Sequence, residues 1–169
     1  RNQRYVFTYG HRNVQGLAER TDGSLWSVEH GPDVDDEVNK LRRGGDYGWH
    51  PVPGYDESVP MTDRSLPGKQ VGARWSSGRP TLATSGSSFV YGAKWGRYRG
   101  ALAVAALKTE RVVFLKFDRS GRDPKIFVPR ALQRFGRLRT VTQLSNGNLL
   151  VATDDVDGQG RILLVRPRG

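Results

Sequence analysis

The residues best suited to chemistry gather in the first third of the chain. Tyr9-Gly10-His11-Arg12-Asn13-Val14-Gln15-Gly16-Leu17 is followed by Glu29-His30-Gly31-Pro32, by Asp35-Asp36-Glu37-Val38-Asn39 and by Gly44-Gly45-Asp46-Tyr47-Gly48-Trp49. Polar groups this concentrated, on loops that leave strands, are what a site mounted on a rigid scaffold presents. Composition limits the chemistry open to them. Cysteine is absent, which excludes disulfides, thiolate zinc centres and cysteine nucleophiles. Lys plus Arg number 27 against 17 acidic residues, a net charge of +10. That excess is compatible with a solvated basic surface, with nucleic-acid binding, or with a pocket for a small polyanion. The basic residues are scattered through turns, with no basic helix and no RNA-binding aromatic motif, so the nucleic-acid reading rests on charge alone. Taken singly, Gly31-Pro32 reads as a turn, Asp35-Asp36 as a solvated loop and Gly44-Gly45 as a hairpin connection. The ordered series is far more specific than its parts.

The elements that must position these residues read as short strands. Gly16 to Arg20, Ser24 to His30, Ala101 to Leu107, Arg111 to Phe117, Lys125 to Val128, Arg139 to Leu144, Leu149 to Thr153 and Arg161 to Val165 carry the apolar pattern. Asp22-Gly23, Ser120-Gly121 and Asn146-Gly147 supply turn signals, so the strands pair as antiparallel hairpins. No window sustains a 3.6-residue stripe, and helix should be scarce. GLAERTDGSLWSVEHG and VTQLSNGNLLVATDD share one plan: strand, Asx-Gly turn, apolar strand, then a loop with an acidic residue. Such recurrence suggests propeller blades or a β-solenoid, and at roughly 40–50 residues per blade the chain makes three to four. Three blades do not close a ring, so an open arc is expected. His50 to Gly78 is rich in Pro, Gly, Ser and charge and is read as a long loop excursion from one face, with Trp75 folding over the site.

At these residues the chain resembles the soluble pyrroloquinoline-quinone (PQQ)-dependent glucose and aldose-sugar dehydrogenases of the glucose/sorbosone dehydrogenase type. The resemblance rests on GHRNxQGL, EHGPxxDDExN and GGxYGW, and continues through RPTLATSGSSF, ALAVAALK ending at Lys108, and GRLRTV with Arg137 and Arg139. It spans Tyr9 to about Val165. It implies an all-β fold, a six-bladed propeller of four-stranded antiparallel blades, with cofactor and calcium in a cleft on one face. Residues 1–169 would be the C-terminal part of that single domain, with the first blades absent and the chain alone inactive.

The same resemblance implies the roles of individual residues. Lys108, Arg137 and Arg139 would hold the carboxylates of PQQ, with Thr81 as a polar contact. Guanidinium groups suit this because they bind carboxylates in bidentate fashion and stay charged when desolvated. Arg137 and Arg139, two apart on an extended segment, project to one face; without the motif they read equally well as surface residues of a basic strand. Arg12 and Asn13 would face the quinone, Arg12 stabilising charge on its oxygen as hydride arrives. Gly31 and Pro32 would offer backbone carbonyls to calcium, which prefers oxygen ligands, and Asp36 and Tyr47 would buttress them. Pro53-Gly54-Tyr55-Asp56-Glu57 resembles a second, structural calcium loop. The catalytic base, a histidine, would lie in an earlier blade outside this chain; His11 reads as structural, His30 as lining the calcium loop and His50 as exposed. Val14 stands where the family usually has proline, and Arg79 where an aromatic residue is common.

The function implied is oxidation of an aldose at its anomeric carbon by hydride transfer to calcium-bound PQQ. Partners would be the sugar and an electron acceptor, with a homodimer left open and no nucleic acid. No apolar run approaches the roughly 18 residues that span a bilayer, no charged-then-apolar leader stands at Arg1, and the resemblance implies a periplasmic or extracellular location. The rival reading is a binding module of the same fold without redox chemistry. Retention of Arg12, Asn13, Lys108, Arg137 and Arg139 together argues against it, because a propeller recruited for protein binding needs no carboxylate clamp.

Overall fold

The computed structural model describes residues 3–154 and 158–167. Among them eleven strands form three antiparallel sheets. The first holds β1 (Val14–Glu19), β2 (Leu25–Glu29), β3 (Glu37–Lys40) and β4 (Trp75–Ser76). The second holds β5 (Thr84–Phe89), β6 (Leu102–Ala106), β7 (Arg111–Lys116) and β8 (Lys125–Phe127). The third holds β9 (Leu138–Gln143), β10 (Leu149–Thr153) and β11 (Ile162–Val165). In each sheet the strands follow chain order outward, as in propeller blades. Helix is confined to three 3-10 turns, at Gln3–Tyr5, Ala93–Tyr98 and Arg130–Leu132.

The turn signals act as expected. Gly23, Gly121 and Gly147 have φ of 77°, 77° and 86°, a region that glycine enters without steric cost. Each donates its N–H to the carbonyl three residues back, closing a tight hairpin turn. Three strands, β3, β4 and β5, escape the sequence pattern. β3 and β5, with sequences EVNK and TSGSSF, are largely buried yet polar. The acidic loop end of the second repeat includes Asp155, which lies outside the described residues.

The middle blade explains the unbroken apolar runs. Ala101, Ala103, Ala105, Val112 and Phe114 pack with Leu138, Val141, Leu149 and Val151 of the third sheet. Leu102, Val104, Val113 and Leu115 face the opposite way, onto Trp26, Val28 and Val38 of the first. A strand buried on both faces has no polar side to alternate. The inner strands β1, β5 and β9 pack against one another, at a separation that leaves little room for side chains. A Cβ on Gly16 would lie 2.8 Å from the Ser85 carbonyl oxygen, and one on Gly86 2.2 Å from Thr140 Oγ1.

Residues 50–74 form the expected long irregular excursion. Trp75 corrects one expectation. It pairs with Val38 and packs against the Trp26–Val38 core rather than folding over a site.

Candidate functional site

Strand direction decides where the candidate residues stand. β1, β5 and β9 run the same way: Gln143 at the end of β9 bonds to Ser88 and Tyr91 at the end of β5, and Thr21 beyond β1 bonds to the Tyr91 hydroxyl. With antiparallel pairing in each sheet, the approach to β1 and the β2–β3, β4–β5, β6–β7, β8–β9 and β10–β11 connections share one end. Arg12 and Asn13, Gly31 and Pro32, Thr81, Lys108, Arg137 with Arg139, and Asp154 occupy those six segments in turn. One end of the arc therefore carries every residue expected to hold the cofactor or calcium.

Backbone bonds stitch the first four segments together. The Asn13 carbonyl accepts from the His30 N–H, the Asp33 carbonyl from the Thr81 N–H, and the Leu82 carbonyl from the Lys108 N–H, at 3.0, 3.2 and 3.1 Å. Asp36 is fully buried and accepts from the N–H groups of Gly31 and Leu82. Burial pushes its carboxyl up from the usual range, against the lowering effect of those two donors. Asp36 thus fixes the Gly31-Pro32 turn to the next blade. The turn itself demands glycine, because a Cβ at Gly31 would lie 1.7 Å from the Val34 oxygen.

Beneath the turn lies a buried polar network. Glu29, 1% exposed, accepts from the Arg12 N–H (3.0 Å), the Asn39 amide (2.7 Å) and His11 Nδ1 (3.0 Å). Both ring nitrogens of His11 are thereby engaged, Nδ1 with Glu29 and Nε2 with the Thr8 hydroxyl at 2.9 Å. The His11 ring stacks on Tyr47 at 4.4 Å, and the Tyr47 hydroxyl donates to the Lys40 carbonyl. Asn39 also reaches Glu37, whose carboxyl is raised to about 7 by burial first, opposed by its bond to Asn39, with the Glu29 charge adding to the rise. Polar β3 is thus the platform under Arg12, and this accounts for its unusual composition.

Arg12 is more enclosed than a surface arginine. Its Nη1 donates to the His30 carbonyl (3.0 Å), its Nη2 to Glu57 (2.7 Å), and its guanidinium lies 5.5 Å from the Trp49 ring centre. In the loop Pro53 to Glu57, Glu57 serves Arg12, while Asp56 accepts from the Ser58 N–H. Among the described residues no group of three Asp, Glu or His side chains could hold a metal. Asn13 Oδ1 accepts from the Gln15 amide at 2.6 Å. Arg137 and Arg139 do share a face: both place Nη2 3.0 Å from the same oxygen of Asp154. Those two guanidiniums, Arg139 first, hold the Asp154 carboxyl below its ordinary range.

Four cations at one end repel one another unless anions compensate them. Glu57 and Asp154 supply part of that compensation from the chain itself, a contribution that sequence spacing did not reveal because both come from distant loops. Lys108 is exposed and makes no ion pair among the described residues. No side-chain contact joins Arg12 to Lys108 or to Arg137 there. His50 is exposed, and burial lowers the His30 imidazole below its usual value.

The donor set fits the implied cofactor and ion. Arg12 Nε and His30 Nε2 are buried without a hydrogen-bond partner, a state that is costly unless something else completes them. Arg137 and Arg139 divide one carboxylate oxygen between them while 40% and 45% exposed, so both keep donors for a further oxyanion. Among the described residues no hydrogen bond reaches the carbonyls of Gly31 and Pro32, and Pro32 lines a cavity of about 410 Å³ together with Glu57 and Arg79. Free carbonyls are what a calcium ion would require of this turn.

The comparisons with known proteins agree with this geometry. The family model described as glucose/sorbosone dehydrogenase matches residues 1–166. Quinoprotein glucose dehydrogenase B of Acinetobacter calcoaceticus is 49% identical over 53 residues, 31% of this chain and 11% of that protein. The structure superposes on the apo form of the soluble aldose sugar dehydrogenase of Escherichia coli with a TM-score of 0.79 and 28% identity, over 96% of this chain and 47% of that one. It superposes on the PQQ-bound aldose sugar dehydrogenase of Streptomyces coelicolor with a TM-score of 0.70 and 28% identity, over 95% and 45% of the two chains. The chain thus spans less than half the length of these solved structures, and its three sheets are part of a β-propeller.

Proposed function

The chain belongs to the glucose/sorbosone dehydrogenase family, and we propose that it forms part of a PQQ- and calcium-dependent enzyme that oxidises aldose sugars at the anomeric carbon. The observation that carries this reading is the gathering of Arg12, Gly31-Pro32, Lys108, Arg137 and Arg139 at one end of three blades, with unpaired donors and free carbonyls. Bound there, the quinone would accept the hydride of the sugar. The chain's own residues have separate tasks. Lys108, Arg137 and Arg139 bind carboxylates, with Thr81 as a buried neighbour. The Gly31 and Pro32 carbonyls face calcium. Arg12, fixed by Glu29 through its backbone, offers a guanidinium to developing negative charge, and Asn13 stands beside it. A periplasmic or extracellular site of action and a separate electron acceptor complete the proposal; among the described residues no helix is long and apolar enough to cross a membrane.

A non-catalytic binding module of the same fold is the alternative, and PQQ binding separates the two. The test is titration of the full-length protein with PQQ in the presence of calcium, followed by steady-state sugar oxidation. Saturable binding with sugar-dependent turnover is expected. Failure of the intact protein to bind PQQ with calcium present overturns the enzyme reading.

A further inference from the structure

A second basic site lies at the other end of the blades. A cavity of about 620 Å³ opens between the β3–β4 and β7–β8 connections, away from Lys108 and Arg137. Arg42, Arg43, Arg64, Lys69, Arg74 and Arg122 line it, against only Asp46 and Asp123. Asp46 is already engaged, accepting from the Gly48 N–H at 2.9 Å and from the Gln70 amide at 3.5 Å. None of the six cations makes an ion pair among the described residues. Arg74 Nε is buried with no hydrogen-bond acceptor at all.

A charged excess on an open convex surface is relaxed by water and salt. This one is concave, and its members come from two blades and from the excursion between β3 and β4 of the first. The excursion is fixed in place: the Val71 N–H bonds to the Asp46 carbonyl, the Arg74 N–H to the Val38 carbonyl, and Gly72 lets Arg64 lie against the chain where a Cβ would stand 2.7 Å from Nη2. Arginine forks oriented by such a frame match oxyanions in bidentate fashion. We propose that this cavity binds a small anion carrying two or more negative charges on phosphate or carboxylate groups, independently of the site at the opposite end.

The probes are inorganic pyrophosphate and citrate, titrated calorimetrically into the full-length protein at low ionic strength. To keep the two ends apart, binding is measured in the wild type, in Arg74→Gln, in Lys69→Gln and in the double variant Arg137→Ala, Arg139→Ala. Saturable binding of one ion per chain is expected, weakened roughly tenfold by Arg74→Gln and measurably by Lys69→Gln. Lys69 is exposed on a loop, so that variant still reports on the cavity if Arg74→Gln fails to fold. The double variant should bind these probes as the wild type does. Pyrophosphate preferred over citrate points to a phosphorylated ligand, and the reverse to a polycarboxylate; either supports the site. Absence of saturable binding, or loss of binding in the double variant but not in the cavity variants, overturns it. Neither result bears on PQQ binding.

Discussion

At the scale of single residues, Arg12 leans on Glu57 at 2.7 Å, and Arg137 and Arg139 share Asp154 at 3.0 Å. Arg12, Arg137 and Arg139 were legible because they sit inside dense motifs, whereas Glu57 and Asp154 come from loops of ordinary composition. These partners change the expected energetics. Arg137 and Arg139 are nearly half exposed, so replacing either by Ala should weaken PQQ affinity by about 1.5–3 kcal/mol, the worth of a hydrogen bond to a charged group. Arg12→Ala should instead lower turnover more than affinity, because its role is toward charge that develops during reaction; PQQ titration and steady-state rates on the same variants check both. Gly31 permits a separate test. Its missing Cβ is required by the Val34 oxygen, so Gly31→Ala should abolish calcium dependence, while Pro32→Ala, which keeps its carbonyl, should weaken it only modestly. Equal calcium dependence in both variants and the wild type would remove the turn from the metal site. Glu37 titrates in an accessible range. Its folded carboxyl is raised from 4.5 to about 7, so the folded state holds a proton that the unfolded state loses. Stability from this group is full below pH 4.5 and declines as pH rises to about 7, by on the order of 2–3 kcal/mol. Glu37→Gln cannot ionise and should gain stability relative to wild type over that interval, with a constant difference above it; urea midpoints at pH 4.5, 6 and 8 read this directly.

At the scale of elements, the strands that were legible are those whose neighbours are apolar. β6 and β7 announce themselves as unbroken runs because two cores clasp the middle blade. β3 and β5 were read as site motifs rather than strands, for two different reasons. β3 turns Val38 to the core and Glu37 and Asn39 to the network under Arg12, so its buried face is polar. β5 is an inner strand, where close approach selects small residues such as Gly and Ser over bulky apolar ones. Gly86 makes this testable. A Cβ there would also lie 2.8 Å from the Thr140 Cα, which no rotamer change can relieve. Gly86→Ala should therefore destabilise the protein by about 1–3 kcal/mol through overpacking, and Thr140→Ala, which removes Oγ1, should rescue it only in part, since the backbone contact remains. Denaturant unfolding of the single and double variants decides; full rescue would place the strain in the Thr140 side chain alone. The same spacing fixes the register of the end loops, so Gly86→Ala should also weaken PQQ binding in the intact protein.

At the scale of the whole molecule, the expected arc is present as three sheets, the third with three described strands. An arc differs from a ring in its two free sides. On the first sheet Leu17 of β1 is 69% exposed, and on the third the unpaired edge strand β11 carries Ile162 and Leu164 at 74% and 48%. Beside β11 a groove of about 890 Å³ is lined by Tyr98, Phe135 and Leu163 among others. Unpaired strand edges bearing apolar side chains template pairing with another chain. Residues 1–169 produced alone should accordingly self-associate in a concentration-dependent way, and sedimentation velocity across a hundredfold range of concentration reads the effect. The side responsible can be identified, because Ile162 and Leu164 point outward while Leu163 and Val165 pack into the core. Ile162→Lys with Leu164→Lys should reduce association and leave the thermal transition nearly unchanged, since neither residue is buried and charge on an edge strand blocks pairing. The equivalent change on β1, Leu17→Lys, should have a smaller effect if β11 is the main contact. A monomeric wild-type chain at all concentrations, with a sharp and reversible unfolding transition, would mean that three blades satisfy their own edges and that neither side of the arc needs a neighbour.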